Sequence, residues 1–254
     1  MKITFLGTGT SQGVPVIGCS CETCRSVNPK DNRLRSSILI ELADITLTID
    51  AGPDFRQQML LNKITHLDTI LVTHGHKDHV GGLDDVRAFN FLSKKPMEVF
   101  LGKFAVTDLK REFHYAFDED RYPGSPNIKL NIIDNAPFRF NGIEIIPIKA
   151  QHYKSEVFGY RIGDFCYLTD LKTISEEEKN KMRGAKVITI SGLRKKEHIS
   201  HFSLSQAVSL IQELNPEKGY ITHISHLMGL HEKVNQELPE NIKLAYDGLS
   251  FNLI

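Results

Sequence analysis

The segment 73–82 constrains this chain more than any other, because it places three histidines and one aspartate within six residues, directly after a short apolar run. The apolar run predicts a buried strand that ends in a polar loop. In an extended chain, side chains two residues apart lie on the same side, so His74 and His76 are expected to converge on one cation. Asp78 and His79 follow after the chain turns toward a helix, and are expected to face a second cation. Imidazoles and a carboxylate suit zinc, manganese or iron.

This loop matches the H-x-H-x-D-H signature and therefore resembles the metallo-β-lactamase superfamily. The resemblance implies an α/β fold, specifically a four-layer αββα sandwich with two metals at one edge between the sheets. It also implies that three further ligands come from distant parts of the chain. By their order in the sequence these are His152 and Asp170, each ending a predicted strand, and His223. A carboxylate at position 170 can bridge two cations.

A cluster of three cysteines, Cys19, Cys21 and Cys24, has the spacing C-x-C-x2-C. Three thiolates supply three corners of a zinc tetrahedron, and a closed structural site needs a fourth ligand. A redox thiol pair is the alternative that C-x2-C alone permits, and the third cysteine favours metal. His226 lies three residues after His223, so in an extended chain the two side chains point to opposite sides. We therefore assign His226 to the cysteine cluster, as the fourth ligand of a structural zinc.

His201 precedes a predicted helix, 204–214, which opens with Ser203 and Gln206 at capping-box spacing. The H-x-S sequence at 201–203 resembles a motif of phosphodiesterases in this superfamily. It implies that His201 is a proton donor or a phosphate clamp, and the alternative is a packed loop histidine.

Other features are less decisive. The glycine-rich segment 7–13 predicts a tight turn, with a phosphate cradle as the alternative. Basic side chains at Arg33, Arg35 and 194–196 could contact an anionic substrate, although solvated loops are the more ordinary explanation. We expect further helices at 54–61, 83–92 and 103–118, and the strand before His152 to end at Ile148.

Composition limits the function classes. The chain has 254 residues, 41% of them hydrophobic, so a single domain over 1–254 with a large core is expected. Lys plus Arg and Asp plus Glu both number 31, which argues against a nucleic-acid partner. No apolar run is long enough for a membrane span. The few cysteines predict a reducing, cytoplasmic location.

Six motifs spread over nearly the whole chain are together similar to the phosphoribosyl cyclic phosphate phosphodiesterases of phosphonate catabolism. They occupy 7–13, 19–24, 34–37, 50–54, 74–79 and 246–248. That family pairs a dinuclear active site with a separate structural zinc. The resemblance implies a small-molecule phosphodiester substrate, with a homodimer left open.

The implied cofactors are two divalent ions, zinc or manganese with iron or nickel as alternatives, besides the structural zinc. His74, His76 and His152 are expected to hold one ion; Asp78, His79 and His223 the other; Asp170 bridges them. The implied catalytic residues are Asp78 and His201. A hydroxide bridging the metals would attack phosphorus in line.

Three alternatives remain. A tRNA 3′-end-processing nuclease shares the ligands, but it needs a basic patch or an RNA-gripping insertion that this sequence does not show. A thioester hydrolase of the same fold is the second. The third is a non-catalytic binder resembling pyrroloquinoline-quinone biosynthesis B proteins, which tend to lose catalytic histidines that this chain retains.

Overall fold

Two seven-stranded β-sheets packed face to face form the centre of the protein, in a computed structural model that describes residues 1–253. In order across the first sheet, the strands are β14 (Ser250–Asn252), β1 (Lys2–Gly7), β2 (Ser37–Leu42), β3 (Ile45–Ile49), β4 (Thr69–Val72), β5 (Met97–Gly102) and β6 (Ile128–Ile133). Across the second they are β13 (Ile242–Leu244), β12 (Lys218–Thr222), β11 (Val187–Ser191), β10 (Phe165–Leu168), β9 (Ser155–Ile162), β8 (Ile143–His152) and β7 (Phe138–Phe140).

Both sheets are mixed. Strands β3 to β6 run parallel, as do β10 to β13, whereas the remaining neighbours pair antiparallel. Within each sheet the carboxyl ends of parallel strands meet at one edge, so residues that follow β3 and β4 are neighbours in the first sheet, and residues that follow β10 and β12 lie along one edge of the second.

Helices cover the outer faces of both sheets. In chain order the α-helices among residues 1–253 are α1 (Phe55–Leu61), α2 (Lys77–Val80), α3 (Arg87–Ser93), α4 (Lys103–Glu112), α5 (His114–Phe117), α6 (Glu176–Met182), α7 (Leu204–Leu214) and α8 (His231–Glu237). The layers therefore follow the order αββα, and the predicted fold class is confirmed.

Strands buried on both faces explain the continuous apolar runs in the sequence. In β4, Leu71 contacts the core between the sheets, whereas Ile70 and Val72 pack toward the helices. In β10, Tyr167 faces the inter-sheet core and Cys166 faces the helices, and both side chains are fully buried. These strands show no alternation of apolar and polar residues in the sequence, because both of their faces are buried against apolar side chains.

The two sheets are tied together directly beneath the polar loop at 73–76. The hydroxyl of Tyr160 in β9 donates to the carbonyl of Val72 at 2.7 Å, and the amide of Phe158 donates to the carbonyl of Thr73 at 2.9 Å. Tyr160 is fully buried. The loop 73–76 is therefore held in place by contacts with both sheets.

Several predicted boundaries differ from the structure. The helix expected at 54–61 begins at Phe55, with Pro53 in the preceding turn. The segment 83–92 is a 3-10 turn, Leu83–Val86, that continues into α3, and 103–118 is interrupted at Phe113 between α4 and α5. Strand β8 continues past Ile148 because its pairing with β9 extends to the hairpin, so His152 is its last residue. Helix α7 has the predicted bounds and capping box.

Among the described residues, no helix combines the length and apolarity needed to cross a membrane.

Candidate metal centre

The loop 73–76 is held by a buried carboxylate at the end of the neighbouring parallel strand. Asp50, directly after β3, accepts hydrogen bonds from the amide and the hydroxyl of Thr73 at 2.8 and 2.9 Å. Asp50 and Thr73 are both fully buried. The chain then enters the short helix α2, with His76 just before it and Asp78 and His79 inside it. This turn separates the four side chains into two directions.

The seven predicted ligands converge at the edge between the two sheets. His74, His76 and His152 form one group, and Asp78, His79 and His223 form another; within each group the possible ligand atoms lie within 4.8 Å of one another. These are the two sets expected from the sequence.

Asp170 lies between the two groups. Its Oδ2 is 3.0 Å from Nε2 of His79 and 3.2 Å from Nδ1 of His223, and it also forms a close group with His74 and His79. The hydroxyl of Thr169 donates to the same oxygen at 2.9 Å. A carboxylate in this position is suited to contact two cations at once, as predicted for a bridging ligand.

Four of these histidines use one ring nitrogen to contact the surrounding protein. The contacts are Nδ1 of His74 with Oγ1 of Thr73 at 3.0 Å, Nδ1 of His79 with Oδ2 of Asp50 at 2.6 Å, Nδ1 of His152 with the carbonyl of Ser200 at 2.8 Å, and Nε2 of His223 with Oγ1 of Thr10 at 3.2 Å. Metal-binding histidines are typically oriented by such a bond through the nitrogen that does not bind metal.

In three of these four histidines the opposite ring nitrogen is unsatisfied. Nε2 of His74, Nε2 of His79 and Nδ1 of His223 are buried and make no hydrogen bond. Buried polar atoms are nearly always paired, so several unpaired nitrogens around one carboxylate call for a specific explanation. Bound divalent cations would supply it, because each unpaired nitrogen offers a lone pair to the same small volume. The donor set of imidazole and carboxylate therefore fits the predicted pair of metal ions.

Charge balance in this cluster points the same way. Burial lowers the pKa of His74 and of His223, which keeps both rings neutral and able to act as ligands. For His79, burial also disfavours the charged ring, but Asp78, Asp50 and Asp170 together raise its pKa well above the ordinary value. The three carboxylates therefore stabilise positive charge at this position, and bound cations would provide that charge.

His201 borders the same cluster. Its Nδ1 is 3.2 Å from Oδ1 of Asp170 and is unpaired, and its ring lies 4.5 Å from that of His152 and 5.2 Å from that of His223. Burial lowers the pKa of His201 to about 3, so the ring is neutral at physiological pH. Its location beside Asp170 agrees with the predicted catalytic role, which stays a prediction.

The cysteine cluster forms a second, separate group. Sγ atoms of Cys19, Cys21 and Cys24 lie 3.2, 3.4 and 3.6 Å from Nδ1 of His226, and the four are close enough together to hold one ion. The amide of Cys24 donates to Sγ of Cys21 and lowers the pKa of that thiol to about 6. These observations agree with the predicted structural zinc, which remains a prediction.

Arg33 and Arg35, two of the basic side chains singled out in the sequence, have partners inside the protein. Arg33 is 4% exposed, and it donates to Thr8, to the carbonyl of Ala245 and toward His231, so the expectation of a solvated loop residue is wrong and the side chain is engaged inside the protein. Arg35 pairs with Asp54 at 2.8 Å.

Sequence reasoning missed the orienting role of Asp50. The available signal was an aspartate at the end of a strand next to β4, because parallel neighbours end at the same edge. It also missed the contact of Thr10 with His223, which joins residues 213 positions apart.

Comparisons with known proteins agree with this architecture. The profile of the β-lactamase superfamily domain matches residues 46–224. An octanoyltransferase from Porphyromonas gingivalis is 38% identical over 252 residues, which is 98% of this chain but only 51% of that protein. A ribonuclease Z from Saccharolobus islandicus is 28% identical over 74% of this chain and 57% of its own length. The chain thus spans about half the length of these curated relatives.

A crystal structure described as a new diphosphatase from the PhnP family superimposes with a TM-score of 0.93, at 36% identity, covering 98% of this chain and 96% of the other. The profile match over more than half of the sequence, and the two sheets with flanking helices, lead to one conclusion. This chain belongs to the β-lactamase superfamily and has the metallo-β-lactamase fold.

Proposed function

We propose that the protein is a dinuclear metal-dependent phosphodiesterase that hydrolyses a small, cyclic phosphodiester of the phosphoribosyl cyclic phosphate type. The observation that carries the proposal is the pair of ligand groups that share Asp170, with His201 beside the same carboxylate. The likeness to the PhnP-family diphosphatase supports phosphoryl chemistry.

Two divalent ions bound here would neutralise phosphoryl oxygens and lower the pKa of a water molecule. The chain's own residues then have distinct tasks. Asp170 and the histidines set the positions of the ions. His201, neutral in the free protein, offers an N–H to a phosphoryl oxygen. The negative charge of a bound substrate raises the pKa of the ring, so that the ring can take up a proton from solvent and deliver that proton to the departing alkoxide, which returns the ring to its neutral form.

Positive charge near His201 favours an anionic substrate, although the basic and acidic residues of the whole chain are equal in number. His198 lies beside His201, with ring centroids 5.2 Å apart. Burial lowers the pKa of His198, and so do the nearby charges of Arg194 and Lys172. Arg194 donates to the backbone carbonyls of Lys196 and Glu197. Across residues 1–253, neither Arg194 nor Lys172 forms an ion pair with a carboxylate, so both charges are available to a ligand.

The second candidate is hydrolysis of an acyl thioester, which the metallo-β-lactamase fold also permits. The specific observation in its favour is the 38% identity with half of a protein whose name describes octanoyl transfer. A thiolate leaves without a proton, so this chemistry gives His201 no acid role. The proximity of His201 to Asp170 therefore favours the phosphodiester.

A ribonuclease activity has less support. The ribonuclease Z relative covers three quarters of this chain, but proteins that grip RNA normally present a basic surface and bind with strong salt dependence. Here basic and acidic residues are equal at 31 each. The non-catalytic binder has less support still, because the ligand sets and His201 are all present and converge.

One assay series tests the proposal: a ribose 1,2-cyclic phosphate, a 2′,3′-cyclic nucleotide, an octanoyl thioester, S-lactoylglutathione and precursor tRNA under one metal condition. We expect turnover of the cyclic phosphates. Efficient cleavage of tRNA, or turnover of a thioester alone, would overturn the proposal.

A variant of His201 tests whether this residue donates a proton or only binds the phosphoryl group. For His201→Ala we expect kcat to fall about 10²–10⁴-fold for diesters with poor leaving groups and to change little for p-nitrophenyl esters, whose leaving group departs without a proton. An equal loss for both ester classes would contradict proton donation and leave only the clamp role.

A further inference from the structure

The glycine-rich segment 7–13, called the Gly loop below, packs against the segment that follows β12. The amide of Thr10 donates to the carbonyl of Ile224 at 3.1 Å, and the amide of Ile224 donates to the carbonyl of Thr8 at 2.8 Å. A Cβ on Gly9 would lie 2.9 Å from the carbonyl oxygens of Arg33 and Leu34. The glycine thus permits close approach to neighbouring backbone, which explains the turn without a phosphate ligand.

His223 stands next to this contact and presents its ring differently from the other buried histidines of the centre. His74, His79 and His152 are each held through Nδ1, whereas His223 is held through Nε2. Its backbone has a φ of 57°, in the left-handed region that non-glycine residues seldom adopt. Its Nδ1 consequently faces Oδ2 of Asp170 at 3.2 Å.

We propose that Thr10 is a positioning residue that holds His223 in the tautomer and orientation in which Nδ1 is offered to a metal ion. A neutral imidazole carries one proton. If Nδ1 binds a cation, that proton must be on Nε2, and the hydroxyl oxygen of Thr10, 3.2 Å away and almost fully buried, is placed to accept it.

The inference gives the Gly loop a function: its backbone fixes the hydroxyl of Thr10 against the segment that carries His223. It rests on the proposed metal centre, since the tautomer matters only if His223 is a ligand. Orienting partners of this kind typically contribute 10–100-fold to metal affinity.

The test uses two variants of the 254-residue chain. Thr10→Val keeps the branched shape and removes the hydroxyl, whereas Thr10→Ser keeps the hydroxyl. Each protein, with the centre stripped of metal and zinc left in the cysteine site, is titrated with Mn²⁺, and free Mn²⁺ is followed by electron paramagnetic resonance. Manganese suits N/O ligands and is a poor partner for thiolates. Melting temperatures of the stripped proteins control for folding.

We expect wild type and Thr10→Ser to bind two Mn²⁺ ions with similar affinity, and Thr10→Val to bind one of the two about 10–100-fold more weakly. Equal affinities for Thr10→Val and wild type would overturn the role of Thr10. A wild-type protein that binds fewer than two ions would instead refute the proposed centre, so the two failures are distinguishable.

A second measurement does not depend on whether the variant folds. In zinc-loaded wild type, long-range ¹H–¹⁵N spectra of the histidine rings report which nitrogen carries the proton. We expect His223 to carry it on Nε2, while His74, His79 and His152 carry it on Nδ1. A proton on Nδ1 of His223 in the loaded protein would contradict the inference.

Discussion

Replacing one thiolate of the cysteine cluster should destabilise the fold much more than it slows the chemistry. Cys21 lies 3.4 Å from Nδ1 of His226, and these two residues are 205 positions apart in the sequence. A zinc ion bound between them would fasten the N-terminal segment to the segment just after His223. Serine is a far poorer zinc ligand than a thiolate, so Cys21→Ser should release this constraint.

The separation in sequence sets the scale of the effect. A covalent cross-link that closes a loop of about 200 residues stabilises by roughly 5 kcal/mol in the chain-entropy treatment. A metal cross-link can dissociate, so this is an upper limit. In a chain of this size 1 kcal/mol shifts Tm by about 2–4 °C, which gives a loss of up to roughly 10–20 °C.

The assay is thermal unfolding followed by circular dichroism, with metal content measured on the same samples. Cys166→Ala is the matched control, because Cys166 is a buried strand residue apart from the cluster. We expect Cys21→Ser to lose one zinc per chain and several degrees of Tm while kcat below the transition stays near wild type, and Cys166→Ala to keep its metal. Wild-type metal content and Tm in Cys21→Ser would refute the structural zinc.

Three other perturbations should separate metal binding, ligand orientation and substrate attraction. Asp170→Ala should lose metal and activity yet melt at the temperature of the metal-free wild type; retention of both metals would count against a bridging carboxylate. Asp50→Asn removes the negative charge and one of the two acceptor oxygens that serve Thr73 and His79. It should weaken metal binding about 10–100-fold in a chelator competition, unlike the control Asp54→Asn. Lys172→Met should raise KM for an anionic substrate about two- to five-fold with kcat unchanged, an effect that added salt abolishes; an unchanged KM at low salt would exclude Lys172 from the binding face.

The sequence was most informative where the geometry is local. His74 and His76 are two residues apart in extended chain, and Asp78 and His79 lie beyond a turn, so their separation into two groups follows from backbone geometry alone. The capping box of α7 is equally local, and that helix has the predicted bounds.

Features set by distant pairing were harder to predict. The role of Asp50 depends on β3 lying parallel to β4, and the contact of Thr10 with His223 joins the two ends of the chain. Arg33 was expected to be solvent-exposed because it lies in a polar loop. It is buried instead, because it donates hydrogen bonds to Thr8 and to the carbonyl of Ala245, which are far apart in the sequence. The interruption at Phe113 is likewise tertiary, since that side chain packs into the core under the helices.

The most direct test of the central claim is a metal titration of catalysis. Protein with the centre stripped and zinc retained in the cysteine site is assayed with bis(p-nitrophenyl) phosphate while Mn²⁺ is added in measured equivalents. The proposed dinuclear centre predicts negligible turnover without added metal and a plateau at two equivalents per chain. Full turnover in the stripped protein, or a plateau after one equivalent, would contradict it.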